Sequence, residues 1–169
     1  HVGRIAKLVK DGFNGIIYST PETFSLAQLI MEDALGLLTR EATKEGVMPL
    51  YEAQDVRKAI TLWQTIPYHS EKTFPQGFSV YLKDAGHIVG SSMIQFTYSG
   101  KKVVFRGDLG HSPAPLLRDT ESIEGADYVI MESVYGDRNH EPKDERRAKF
   151  QSIIEDTIAR KGTLVIPAF

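Results

Sequence analysis

Apolar residues recur along the chain at two spacings, and the alternation between them predicts strands interleaved with helices. The run Gly15-Ile16-Ile17-Tyr18-Ser19 follows a glycine-rich turn, Asp11-Gly12-Phe13-Asn14-Gly15, and predicts a buried strand over 15–19. Before it, Ile5-Ala6-Lys7-Leu8-Val9 is amphipathic and helix-like. Thr20-Pro21-Glu22 has the form of a helix start, with Thr20 as N-cap, Pro21 in the first helical position and an acid in the first turn. Phe24, Ala27, Ile30, Met31, Ala34 and Leu38 then fall on one face, which predicts a helix to about Leu38. Residues 39–49 are polar and predict a loop or a frayed helix end. Val56, Ala59, Ile60 and Trp63 predict a second helix.

The spacing then changes to that of strands. Strands are expected over 78–82 and 93–98, and Ser99-Gly100-Lys101 turns the chain into a hairpin partner over 102–105. Asp127-Tyr128-Val129-Ile130-Met131 predicts another buried strand. Phe150, Ile153, Ile154, Thr157 and Ile158 share a face of a last helix, with Gly162 as its stop. A hairpin combined with crossover helices implies a mixed sheet with helices packed outside, in the α/β or α+β class.

Composition narrows the function without naming it. The 169 residues are 41% hydrophobic and 25% charged, as expected of one globular domain. No apolar run approaches the roughly 20 residues of a membrane span. The absence of cysteine excludes disulfides, thiolate metal sites and a thiol nucleophile. Twenty basic against 22 acidic residues exclude a strongly basic nucleic-acid binder. A local basic groove stays open; Lys143, Arg146, Arg147 and Lys149 alternate with Asp144 and Glu145 and read as a solvated helix face. The chain starts at His1 and ends on a strand-like apolar run, Thr163-Leu164-Val165-Ile166-Pro167-Ala168-Phe169. The expectation is a segment of a longer cytoplasmic protein.

Candidate chemistry sits in loops directly after strands. His87 lies in Asp84-Ala85-Gly86-His87-Ile88-Val89-Gly90-Ser91, Asp108 in Arg106-Gly107-Asp108-Leu109-Gly110, and Glu132 just after the strand 127–131. His1 precedes the first helix-like segment. Histidine and carboxylate without cysteine is the ligand set of a catalytic zinc, manganese or iron site rather than a structural zinc. Each residue also has an ordinary reading. His87 as a hydrogen-bonded turn residue, Asp108 as the acceptor of an Asx turn, and Glu132 as a helix-end acid or a partner of Arg138 are all open at this stage.

Taken in order, these motifs resemble the β-CASP group of metallo-β-lactamase-fold nucleases, to which the cleavage and polyadenylation specificity endonuclease belongs. His1-Val2-Gly3-Arg4 is similar to the tail of the family's H-x-H-x-D-H-x-G-R signature, and Gly12 to Pro21 to its turn, strand and Thr-Pro helix start. Ala85 to Ser91 and Phe105 to Gly110 resemble the third and fourth metal motifs. Met131-Glu132-Ser133-Val134-Tyr135-Gly136-Asp137-Arg138, with His140-Glu141-Pro142 after it, resembles the first β-CASP motif, and Ile166 to Phe169 the start of the next strand and loop. Arg106, His111 and Val134 depart from the family pattern, and none of the three is a ligand position.

The resemblance implies a four-layer αββα sandwich cut at both ends, with residues 1–135 from the metallo-β-lactamase domain and 136–169 opening the β-CASP insert. It implies two zinc ions, His1 as a ligand of one, His87 of the other, Asp108 bridging both, and Glu132 orienting a metal-bound histidine or the attacking water. A hydroxide rather than a side chain would attack RNA phosphorus. The remaining ligands would lie upstream and downstream, so the segment alone is expected to hold zinc weakly and cut nothing. A homodimer is an expected assembly. Two other functions stay open: a non-catalytic scaffold of an RNA-processing complex, and another hydrolase on the same fold, such as a DNA-repair nuclease.

Overall fold

The structure is a computed structural model and describes residues 2–114, 116–139 and 142–167, the side chain of Lys143 excepted. The chain divides into two compact units, His1–Glu132 and Ser133–Phe169. Its mixed helix and sheet content is that of an α+β protein.

In the first unit a short 3-10 turn leads into α1 (Ile5–Lys10), followed by β1 (Ile17–Ser19) and α2 (Pro21–Glu45). Then come α3 (Ala53–Thr61) and β2 (Trp63–Thr65), and β2 returns parallel to β1 with Ile17 opposite Trp63. The long helix starts as the sequence predicts. Thr20 is extended, its hydroxyl accepts the Thr23 N–H at 3.2 Å, and Pro21 follows, a cap worth about 1 kcal/mol.

Where α2 ends differs from expectation. It continues past Leu38 to Glu45 because Thr39 to Glu45 are adequate helix formers and Ala42 finds a buried place. Gly46, with φ 69°, then closes it, and the Val47 N–H reaches the Ala42 carbonyl. Ile30, expected on the core face, is exposed. Trp63 belongs to β2 rather than to α3, since α3 stops at Thr61 and the indole N–H donates to Ser19 Oγ at 2.8 Å.

The second sheet holds β3 (Glu71–Thr73), β4 (Phe78–Asp84), β5 (Ser92–Tyr98), β6 (Lys101–Phe105) and β7 (Tyr128–Ile130), in that spatial order. The first three pairings are antiparallel and β6–β7 is parallel. A parallel pair needs a crossover, supplied here by residues 106–127, with no helix among the described residues of that stretch. That crossover is tied back across the sheet: Glu121 N–H donates to Asp84 O at 3.1 Å, and Lys83 Nζ to Ser122 O at 2.7 Å.

Two apolar clusters organise the unit. Ala6, Met31, Tyr51 and Val56 join the helices; Ile66, Val80 and Leu82 join β4 to the segment after β2, with Tyr68 and Phe78 packed against them. Full burial of one such side chain stabilises by roughly 1.5–3 kcal/mol. Between the two sheets lies an apolar cleft of about 580 Å³, lined by Tyr18, Trp63, Phe78 and Phe96 among others.

In the second unit, α4 spans Lys143–Ala159. Its stop lies one residue from the predicted place. Lys161 takes the left-handed conformation at φ 49°, and the Gly162 N–H reaches back to Thr157 O at 2.9 Å. The strand expected from Thr163 is not formed over 163–167; Ala168 and Phe169 lie outside the described residues, as do His140 and Glu141.

Candidate functional site

Strand direction brings the candidate residues together. Because β4 and β6 both run antiparallel to β5, they point the same way, and β7 is parallel to β6. The C-terminal ends of β4, β6 and β7 therefore open at one edge of the sheet. The turn with His87 leaves β4, the turn with Asp108 leaves β6, and Glu132 lies two residues beyond β7.

The first turn is closed on itself. Asp84 Oδ1 accepts the Gly86 N–H at 2.8 Å, an Asx turn. Ser91 Oγ accepts the N–H groups of His87 and Ile88 at 3.1 and 3.2 Å, and the Ala85 N–H donates to Ser91 O at 3.1 Å. With the backbone satisfied this way, the imidazole of His87 is not needed to build the turn.

The second turn is pressed against the first. The Gly110 N–H donates to Ala85 O at 2.9 Å, and the Thr120 hydroxyl shares the same carbonyl at 2.8 Å. A Cβ on Gly110 would sit 1.9 Å from the Gly86 carbonyl oxygen, so only glycine permits this approach. Glu132 Oε1 accepts the Leu109 N–H at 2.7 Å, a charge-assisted bond that fixes the residue next to Asp108.

His87 Nε2 and Asp108 Oδ2 face each other at 3.9 Å, with 43% and 40% of the side chains exposed. That is too long for a hydrogen bond, which needs about 3.2 Å or less. Two donors sharing one tetrahedral zinc at about 2.0–2.2 Å each stand on the order of 3.4 Å apart, and half-exposed side chains close such a difference by small rotations. The pair thus fits one shared metal ion. Among the described residues no third His, Asp or Glu joins them to complete a cage, and His1 lies outside the described residues.

An Asx turn is formed by Asp84, at the start of the loop that carries His87. Glu132 stands at no helix end, and its carboxylate engages the Leu109 backbone. Sequence reasoning assigned no role to His69, which the structure pairs with Glu121 Oε1 at 2.7 Å, tying the crossover to the turn between β2 and β3. It also passed over Thr23 and Tyr68, whose hydroxyls reach the turn of His87, and Gly110. The glycine was visible in Arg106-Gly107-Asp108-Leu109-Gly110; no local pattern announces the two hydroxyls. Burial pushes the Tyr68 phenol well above its usual 10.0, with Asp84, Glu22 and Glu121 adding to the rise, so it stays a protonated donor.

Similarity to other proteins agrees with this arrangement. No family-wide sequence profile matches the chain. It is 32% identical over 169 residues to a ribonuclease of Thermus thermophilus, matching 100% of this chain and 37% of that protein. It is 29% identical over 161 residues to transcription termination factor FttA of Thermococcus kodakarensis, with 92% of this chain and 24% of the relative matched. Cleavage and polyadenylation specificity factor subunit 3-I of Arabidopsis thaliana is 27% identical over 163 residues, covering 96% of this chain and 23% of the relative. The chain thus spans well under half the length of these curated relatives. Motif order and the end-to-end similarity of the whole segment make β-CASP metallo-β-lactamase-fold ribonucleases the homologues of this chain.

Proposed function

We propose that this chain is part of a dizinc enzyme that hydrolyses RNA phosphodiester bonds in RNA maturation or decay. The observation that carries the reading is the opposition of the His87 imidazole and the Asp108 carboxylate at 3.9 Å, on turns locked together through Gly110 and Ala85. His1 and His87 would each hold one ion, and Asp108 would bridge the two. When bound, the ions supply a nucleophile at neutral pH and neutralise charge developing on phosphate. Glu132 keeps the Asp108 turn in place through the Leu109 N–H. The names ribonuclease and cleavage factor borne by the relatives support RNA as substrate.

The same reading assigns the four-layer αββα arrangement to the whole fold, residues 1–135 to the metallo-β-lactamase domain and 136–169 to the β-CASP insert. It also makes a cytoplasmic homodimer the expected assembly. Among the described residues, no helix is long and apolar enough to cross a membrane.

The test uses the product of the complete reading frame, assayed for zinc content and for cleavage of a labelled RNA. His87→Ala and Asp108→Asn should each lower zinc occupancy and reduce cleavage by more than about a hundredfold, beyond the range seen for residues that only support ligands. Wild-type cleavage by either variant would sink the reading. A wild-type protein that binds RNA and cuts neither RNA nor DNA would move the assignment to a scaffold; cleavage of DNA alone would move it to a repair-type nuclease.

A further inference from the structure

Besides the Ala85 carbonyl, which faces the Asp108 turn, two carbonyls at the far end of the His87 turn are held from outside, and neither holder belongs to the strand from which the turn emerges. The Gly90 carbonyl accepts the hydroxyls of Thr20 and Thr23, both at 2.8 Å. A carbonyl oxygen has two lone pairs, so these two donors fill it. Thr20 is completely buried, and both threonines stand at the start of α2. The contact is close: Gly90 has φ 84°, and a Cβ there would lie 2.6 Å from the Thr23 nitrogen. The next carbonyl, that of Ser91, accepts the Tyr68 hydroxyl at 2.6 Å. The Tyr68 ring packs against the cluster of Ile66, Val80 and Leu82, which fixes where its hydroxyl can stand.

We propose that Tyr68 and Thr23 are positioning residues for His87: by holding the carbonyls of Ser91 and Gly90 they set the turn so that the imidazole faces Asp108. The proposal rests on the metal-site reading above. With Ala85 already tied to Gly110 and Thr120 at the near end, the hydroxyls of Thr23 and Tyr68 fix the far end, about which the turn would otherwise pivot. A turn that pivots by an ångström moves Nε2 out of reach of an ion shared with Asp108. The raised phenol of Tyr68 keeps its proton across the working pH range, so the anchor does not titrate away.

Tyr68→Phe removes one oxygen and leaves the packed ring; Thr23→Val removes the hydroxyl at nearly constant shape, and Thr23→Ser restores it. The experiment measures zinc affinity, by competition against a chelator, and kcat and KM on RNA, all in the complete reading-frame product. Tyr68→Phe and Thr23→Val should each weaken zinc about tenfold and lower kcat, with KM unchanged within about twofold, as residues that orient ligands do. Thr23→Ser should match the wild type within about twofold. Wild-type zinc affinity in both Tyr68→Phe and Thr23→Val, or a Thr23→Ser variant as weak as Thr23→Val, would overturn the proposal. His87→Ala run alongside separates the two levels: if it loses zinc while Tyr68→Phe does not, only the positioning role falls. If it keeps zinc, the metal-site reading falls and takes the positioning role with it.

Discussion

Gly110 is the residue at which the two motif turns meet, and it sets the tolerance of the site. Its N–H reaches Ala85 O at 2.9 Å, and any Cβ would enter the Gly86 carbonyl. A flexible side chain could swing away from such a clash, but the Gly86 carbonyl is backbone inside a closed turn. Gly110→Ala should therefore separate the turns and destabilise the fold by ~1–3 kcal/mol, the usual range for overpacking. Chemical denaturation of wild type and variant checks the stability loss, and zinc affinity should fall with it. A variant as stable as wild type would mean that the turns have room the structure does not show. At this scale the sequence was most legible where residue types are rare in combination. His87, Asp108 and Glu132 were picked out as polar residues directly after apolar runs, and the structure brings all three to one edge of the sheet. Tyr68 and Thr23 escaped because their role depends on partners 23 and 67 residues away, the Ser91 and Gly90 carbonyls. Nothing local in Ile66-Pro67-Tyr68 or Glu22-Thr23-Phe24 encodes those distances.

Among the elements, β6 and β7 carry the site's geometry because their parallel pairing sends Asp108 and Glu132 out on the same side. The start of that pairing is fixed by Asp127. Its Oδ1 accepts from Lys101 Nζ at 2.7 Å, and its Oδ2 from the Lys102 N–H at 2.9 Å. The Lys101 hydrogen bond, and then the Lys102 N–H, hold the Asp127 carboxyl below its ordinary 3.8, while the same pair raises Lys101. A carboxyl depressed in the folded state stabilises fully above its unfolded value and loses that contribution as pH falls through the folded one. Asp127→Asn should thus unfold at lower denaturant than wild type at pH 6, and the gap should narrow below about pH 4. A gap constant from pH 6 to pH 3 would show that the carboxylate charge contributes nothing. Helices and long strands were legible from spacing alone, since α2, α3 and β4 to β6 each repeat their pattern several times. The three-residue strands β2 and β3 were not: Trp63–Thr65 and Glu71–Thr73 are mostly polar and lack the apolar run that marks the equally short β1 and β7. Trp63 was misplaced because its spacing from Ile60 is helical, while its pairing with Ile17 is a tertiary fact.

For the first unit as a whole, the apolar surface left uncovered sets its stability. The cleft of about 580 Å³ between the sheets is lined by aromatic and branched side chains, and on the same face of the larger sheet Phe105, Tyr128 and Ile130 are 42%, 62% and 52% exposed. Soluble proteins rarely leave contiguous apolar surface of this kind open to water, and each large side chain so exposed forgoes up to roughly 1.5–3 kcal/mol of burial. Folding stability is a difference of only about 5–15 kcal/mol between large opposing terms, so a few uncovered side chains consume much of it. The 169-residue chain made alone should accordingly bind an apolar dye such as anilinonaphthalene sulfonate and melt broadly, hold zinc weakly and cut no RNA. The product of the complete reading frame should bind less dye per molecule and melt sharply. A chain of these 169 residues that excludes the dye, melts cooperatively and cleaves RNA with added zinc would show that the uncovered face needs no cover. It would also show that His87 and Asp108 suffice, with what this segment itself supplies, to assemble the site.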